Sequence, residues 1–217
     1  MTRRGMPNRT IERKTVHAAS RITFALFDFD HTVTDTDTFI DFTVFAFGRV
    51  RVALWMLAHF PSVAAAMTGL SDINRIKKIF FARFFRGYPE REYLTMCERY
   101  ANERLPRFLR PAALDRIAWH VRRGDAVVVI SASLDGWIAP WARTAGVRDI
   151  IATFPGIENG RLTGKFTTPN CNGREKVRRF TEKYPDREKY VIYAYGDSSG
   201  DRAMLAFADH AYYRSFE

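Results

Sequence analysis

The segment Ile22-Thr-Phe-Ala-Leu-Phe27, closed abruptly by Asp28 and Asp30, constrains this chain more than any other stretch. A run this apolar reads as a strand covered on both faces, which places it inside a parallel sheet with helices on either side. Carboxylates at the carboxyl end of such a strand sit where open α/β sheets hold their ligands. Side chains i and i+2 leaving a strand point the same way, so Asp28 and Asp30 can flank one reacting centre.

The same device recurs along the chain. Ala126–Ile130 predicts a second buried strand that ends on Ser131-Ala132-Ser133, and Tyr190–Tyr195 predicts another that ends on Gly196-Asp197-Ser-Ser-Gly200-Asp201. Short strands are predicted at Ile150–Phe154 and near His210–Tyr213, and Asn159-Gly160 between Ile157 and Leu162 marks a hairpin turn. Between them fall predicted helices. One covers Pro111–Arg123, with proline at its first turn and Gly124 just beyond its end. Others cover Trp137–Ala145, Arg174–Tyr184 with Pro185 as its stop, and the residues around Met204 and Leu205. Alternating strands and helices give an α/β fold, a Rossmann-like parallel sheet flanked by helices.

Residues 39–108 break that alternation and predict an inserted helical lobe, with 21–38 and 109–217 forming the core. Phe39, Phe42, Phe45 and Phe47 begin it, and Ile73, Ile76, Lys77, Phe80, Phe81, Phe84 and Phe85 recur at helical spacing. Glu90 to Leu105 is a further helix, ended near Pro106. Between them Val50 to Leu70 is strongly apolar, but Arg51, His59 and Pro61 interrupt it. It falls short of the roughly 18–20 uninterrupted apolar residues of a membrane helix. Buried lobe helices and a surface lying at a membrane interface are both open readings of it.

The formal charge of +10 sets a positive field that attracts phosphorylated small molecules, nucleic acid or an anionic membrane surface. No RNA-binding motif accompanies it, so a non-catalytic nucleic-acid module is the weaker reading. Residues 1–20, with five basic side chains and no apolar core, read as a flexible basic arm rather than a secretory signal. Cys97 and Cys171 form no paired motif and read as reduced thiols, which fits a cytoplasmic protein, whether or not associated with a membrane.

In a parallel sheet the three strand ends share one edge. Asp28, Asp30, Asp197 and Asp201 would then crowd one crevice, at a cost in repulsion that a hard divalent cation relieves. Magnesium suits such oxygen ligands and keeps waters that a phosphate can displace. One carboxylate of the Asp28–Asp30 pair can attack while the other moves protons.

These motifs, Asp28-Phe-Asp30-His-Thr32-Val, Ser131, and Gly196-Asp197-Ser-Ser-Gly-Asp201, resemble in order those of the haloacid dehalogenase superfamily. The resemblance covers nearly all of the chain beyond the arm. It implies a Mg2+-dependent phosphatase working through an aspartyl-phosphate, with Asp28 as nucleophile and Asp30 as acid and base. It implies Asp28, Asp30, Asp197 and Asp201 around the metal, and Thr32, Ser131, Ala132 and a lysine on the phosphoryl group. Lys176 is the candidate lysine; Arg174 or Asn172 could take its place, and Lys165 is a poorer choice. The 39–108 lobe matches the type I helical cap. Within subfamily IB, Ser131-Ala-Ser-Leu-Asp-Gly-Trp-Ile-Ala-Pro-Trp and Asn170-Cys-Asn-Gly-Arg-Glu-Lys176 are similar to phosphatidylglycerophosphatase C-like and phosphoserine phosphatase-like proteins. The implied partner is a lipid phosphate, with peripheral contact at an anionic membrane, or a soluble phosphomonoester. Two departures bear on substrate: His31 stands where many relatives have glycine, and Gly200 where phosphoserine phosphatases often have asparagine.

Overall fold

The structure is a computed structural model that describes residues 21–68, 70 and 72–216. The expected basic arm, 1–20, lies outside the described residues. Strands β1 (Ile22–Phe27), β2 (Ala126–Leu134), β3 (Asp149–Thr153), β6 (Tyr190–Gly196) and β7 (His210–Tyr213) form one parallel sheet in the order β3-β2-β1-β6-β7. Strands β4 (Pro155–Glu158) and β5 (Arg161–Phe166) form a separate antiparallel hairpin. Its turn is the predicted Asn159-Gly160, with φ of 49° and 68° at the two residues, the left-handed values such a turn requires.

β1 is central and buried on both sides, as its composition demands. Phe24 and Leu26 pack with Val128, Ile130, Ile192 and Phe180 below the sheet, while Ala25 and Phe27 join the larger core above it. Among the described residues, five α-helices lie between β1 and α6 (Pro111–Arg122): α1 (Thr38–Phe47), α2 (Arg49–Ala58), α3 (Phe60–Met67), α4 (Ile73–Phe85) and α5 (Glu90–Glu103). The chain leaves and re-enters the sheet side by side, through an isolated antiparallel bridge between Thr34 and Leu109. The remaining helices are α7 (Asp135–Thr144), α8 (Arg174–Lys183) and α9 (Arg202–Phe207).

Aromatic packing joins the inserted helices to the sheet. Phe42 of α1 stacks on Trp137 of α7 at 4.4 Å and meets Tyr100 of α5 edge-on at 5.3 Å. Complete burial of a side chain of that size stabilises by about 1.5–3 kcal/mol. The hairpin approaches α4 so closely at Gly164 that a Cβ there would lie 2.8 Å from the Arg86 Cβ.

One expectation needs correction, and one open reading is narrowed. β2 does not end at Ile130: it runs to Leu134, and its register with β3 shifts between Ile130 and Leu134. Thr153 pairs with Leu134, and its hydroxyl donates to the Ala132 carbonyl at 2.9 Å, tying β3 to the extension. The apolar 50–70 stretch is not simply buried. Val52, Trp55 and Ala66 are covered, but Val50, Leu54, Leu57, Phe60 and Leu70 are exposed. Among the described residues no helix is long and apolar enough to cross a membrane.

Candidate active site

Asp28 lies one residue past β1, and its backbone N–H donates to the Tyr195 carbonyl at 3.0 Å, extending the β1–β6 ladder. Its buried carboxylate receives two side-chain bonds. Lys176 Nζ donates to Oδ1 at 2.5 Å and Thr32 Oγ1 donates to Oδ2 at 3.2 Å. The same ammonium donates to Asp201 Oδ1 at 2.6 Å. Gly173, with φ of 59°, starts α8 in a backbone conformation that L side chains avoid, and Lys176 leaves the first turn inward. Arg174, the alternative, is exposed.

Asp201 is fixed by a capping box. Ser198 accepts from the Gly200 N–H while the Asp201 carboxylate accepts from the Ser198 N–H at 3.0 Å and from the Asp197 N–H at 3.2 Å. This turn leaves no room for side chains at its glycines. A Cβ on Gly196 would lie 2.5 Å from that of Asp201, and one on Gly200 would lie 2.1 Å from Asn172 Oδ1. The departure at Gly200 thus goes with Asn172, which occupies the space.

Ligand oxygens of Asp28, Asp197 and Asp201 lie within 4.8 Å of one another. Asp30, expected among the metal residues, stands apart from that cluster. Its carboxylate accepts from the Thr38 N–H at 2.8 Å, from Thr38 Oγ1 at 2.5 Å and from Ser133 Oγ. These donors draw it toward the start of α1, where helix N–H groups lack internal partners. Trp137 Nε1 in turn donates to Thr38 Oγ1 at 3.0 Å, so the aromatic core orients the hydroxyl that holds Asp30. Ser131 is fully buried, with its hydroxyl accepting from the Ser133 N–H. The Ala132 carbonyl accepts from Lys77 Nζ at 2.5 Å.

Charge is unevenly balanced here. Burial pushes Asp28 up to about 7, with the Lys176 ammonium opposing and the charges of Asp201 and Asp30 adding to the rise. Burial and the Asp201 charge also raise Asp197. Burial would raise Asp201 too, but Lys176 and Ser198 hold it below the ordinary carboxylate value. Burial pulls the Lys176 ammonium down, and its two aspartate partners more than reverse this. Asp30 is raised by burial and by Asp37, against the bonds from Ser133 and Thr38.

The donor set fits a hard divalent cation. Three carboxylates converge, and one ammonium leaves their negative charge incompletely compensated. Because Asp28 must be ionised to serve as a ligand, Mg2+ affinity is expected to rise with pH through about 7 and to level off above it. Calorimetric titration at pH 6 and pH 8 should give about a tenfold tighter apparent Kd at the higher pH, with proton release at the lower. Equal affinities would contradict the raised Asp28.

Sequence reasoning missed Thr38, Ser133 and Lys77. Ser133 was signalled by its i+2 spacing from Ser131. Lys77 was visible as the charged member of an otherwise apolar helical stripe. It reaches from α4 to the Ala132 carbonyl and to Asn170 Oδ1 at 3.1 Å, and packs its ammonium over Phe39 at 4.8 Å. Burial holds its ammonium below the ordinary lysine value, against the attraction of Asp30 and Asp37. The departure at His31 also has a structural counterpart. Its φ of 59° is left-handed, a conformation costing a non-glycine residue roughly 1–2 kcal/mol.

Comparison with known proteins bears on the family and the fold. The family model described as haloacid dehalogenase-like hydrolase matches residues 25–206. The protein CicA of Caulobacter vibrioides is 32% identical over 194 residues, covering 88% of this chain and 85% of that protein. A probable phosphatase of Mycobacterium tuberculosis is 37% identical over 102 residues, 46% of this chain and 35% of its own length. Among solved structures, a protein of unknown function from Bordetella pertussis Tohama I superposes with a TM-score of 0.75 at 23% identity, covering 86% of each chain. A phospho-aspartyl intermediate analogue of phosphoserine phosphatase superposes with a TM-score of 0.58 at 19% identity, covering 87% of this chain and 84% of that one. The extent of the family match, the CicA relationship and the shared fold together establish that this chain belongs to the haloacid dehalogenase-like hydrolases.

Proposed function

We propose that the protein is a magnesium-dependent phosphomonoesterase that works through an aspartyl-phosphate and takes a lipid phosphate as substrate. The observation that carries the reaction class is the separate handling of two neighbouring aspartates. Asp28 faces an ammonium and two further carboxylates, while Asp30 is held away from them by hydroxyls.

A carboxylate oxygen of Asp28 attacks phosphorus and the ester P–O bond breaks. Asp30, raised toward its protonated form, gives its proton to the departing alkoxide. Water then attacks the aspartyl-phosphate, Asp30 takes its proton, and the bond between phosphorus and Asp28 breaks to release phosphate. Lys176 balances Asp28 before attack and the phosphoryl oxygens afterwards. Ser131 and Thr32, with the backbone at Ala132, are the proposed phosphoryl contacts. Asp28, Asp197 and Asp201 would hold Mg2+, which supplies positive charge for the transferring group.

Residues 39–108 serve as the cap in this reading. A cavity of about 430 Å³ lies between them and the sheet edge, reaching Asp30 and Ser133 at one end. Its walls include Phe39, Ile40, Met56, Val63, Ile76 and Phe80, which supports an apolar leaving group. Asp37 and Lys77 line it with opposite charges, which favours a second reading, a small zwitterion of the phosphoserine type.

Steady-state hydrolysis of phosphatidylglycerophosphate in detergent micelles and of phosphoserine, with Mg2+ and with EDTA, separates the two. Burial of four methylenes at about 0.8 kcal/mol each gives roughly a hundredfold preference in kcat/KM for the lipid. A preference for phosphoserine would overturn the lipid substrate. No hydrolysis of any ester in Mg2+ would overturn the reaction class.

A further inference from the structure

Helix α2 is apolar on both faces. Val52 and Trp55 are buried, while Val50, Leu54 and Leu57, spaced i, i+4 and i+7, share the opposite stripe and are 72%, 61% and 73% exposed. An outward aliphatic stripe on a helix whose inner face is already packed calls for a partner or lipid, and the outer stripe of α2 has no core over it. The surrounding charge has one sign. Between Phe42 and Pro89 the chain carries seven arginines and lysines, with Asp72 as its only acid.

A cleft of about 580 Å³ lies beside the stripe, between α2 and α4. Trp55 and Phe84 line it, together with Arg51, His59 and Arg83. His59 stacks on Trp55 at 4.1 Å, and the Arg83 guanidinium lies over Phe84 at 5.9 Å. Two guanidiniums beside an aromatic wall, with no carboxylate among the lining residues, suit a phosphate head group.

We propose that this face of α2, with the Arg51–Arg83 cleft, docks the protein on an anionic lipid bilayer, the aliphatic stripe entering the interface and the arginines meeting lipid phosphates. The pairing of exposed aliphatic groups with basic ones is the pattern of interfacial helices. A second copy of the chain is a poorer occupant, because two nearly acid-free basic faces would repel. Nucleic acid would leave the aliphatic stripe facing water and charge. Trp55 lines both this cleft and the cavity that reaches Asp30, so the two are neighbours across one side chain. The inference rests on the lipid-phosphate reading for its purpose, but its test is separable.

Full-length protein is sedimented with phosphatidylcholine vesicles, with and without phosphatidylglycerol, and its hydrolysis of p-nitrophenyl phosphate serves as the folding control. Wild type should bind the anionic vesicles and release them at high salt. Leu54→Asp/Leu57→Asp should lower partitioning at least about tenfold, and Arg51→Glu/Arg83→Glu should lower the preference for anionic vesicles at least about tenfold relative to wild type, both with hydrolysis unchanged. Residues 1–20 are present in every variant, so any contribution from them is a common background. Absence of vesicle binding by wild type, equal binding by wild type and both variants, or a dimer in solution that Leu54→Asp/Leu57→Asp dissociates would each overturn the proposal. Micellar lipid phosphate hydrolysed by a protein that ignores vesicles would remove this inference alone, whereas vesicle binding without lipid-phosphate hydrolysis would remove only the substrate.

Discussion

Asp28→Asn is expected to lower turnover of p-nitrophenyl phosphate in Mg2+ by at least about a thousandfold, because an amide cannot supply the attacking oxygen. The same change should leave the metal-free fold intact. Burial raises Asp28 to about 7, so at higher pH the ionised carboxylate is held at a cost to the native state. The sign follows directly. A carboxylate whose folded pKa lies above its unfolded one, near 3.8, makes folding less favourable as pH climbs from that value toward about 7. The asparagine removes that term, while Lys176 keeps Asp201 as a partner at 2.6 Å. Thermal melts at pH 8 should show Asp28→Asn no less stable than wild type. Loss of stability together with activity would mean that Asp28 is a structural group.

Lys176→Met should behave in the opposite way, losing stability as well as activity. Lys176 is buried between Asp28 and Asp201, and removing one member of a buried ion network typically costs about 3–5 kcal/mol, because the partner charges stay behind uncompensated. Urea melts without metal should register that loss near neutral pH, and Mg2+ should restore part of it by supplying positive charge to the same carboxylates. The deficit should shrink as pH falls and the aspartates take up protons. An unchanged urea midpoint would contradict the electrostatic role assigned to this lysine. The contrast between the two variants matters because both remove one partner of a single contact, yet burial makes the charged aspartate costly and the lysine its compensation.

Much of this arrangement was readable in the residues, for physical reasons that differ from place to place. β1 declared itself because a strand buried on both faces tolerates little polarity, and the abrupt change at Asp28 marks its end. Lys176 competed with Arg174 and Asn172 because all three lie near the start of α8. The inward direction of Lys176 depends on where Gly173, with its positive φ, begins the helix. The surroundings of Asp30 were hidden more deeply. Ser133 is 103 positions away in sequence, and the hydroxyl of Thr38 is oriented by an indole 99 positions away. Only tertiary packing joins them, so the i+2 spacing that set Asp28 beside Asp30 said nothing of their different partners. For α2 the composition announced apolarity but not which face the core would cover. The inner stripe of Val52 and Trp55 and the outer stripe of Leu54 and Leu57 are equally hydrophobic in sequence.

The most direct test of the central claim is rapid acid quench during turnover of a phosphomonoester in Mg2+, followed by peptide mass spectrometry. A phosphoryl group on Asp28 that is lost in Asp28→Asn is the expected result. A phosphoryl group on Asp30 instead, or steady turnover with no phosphorylated peptide at any quench time, would contradict it.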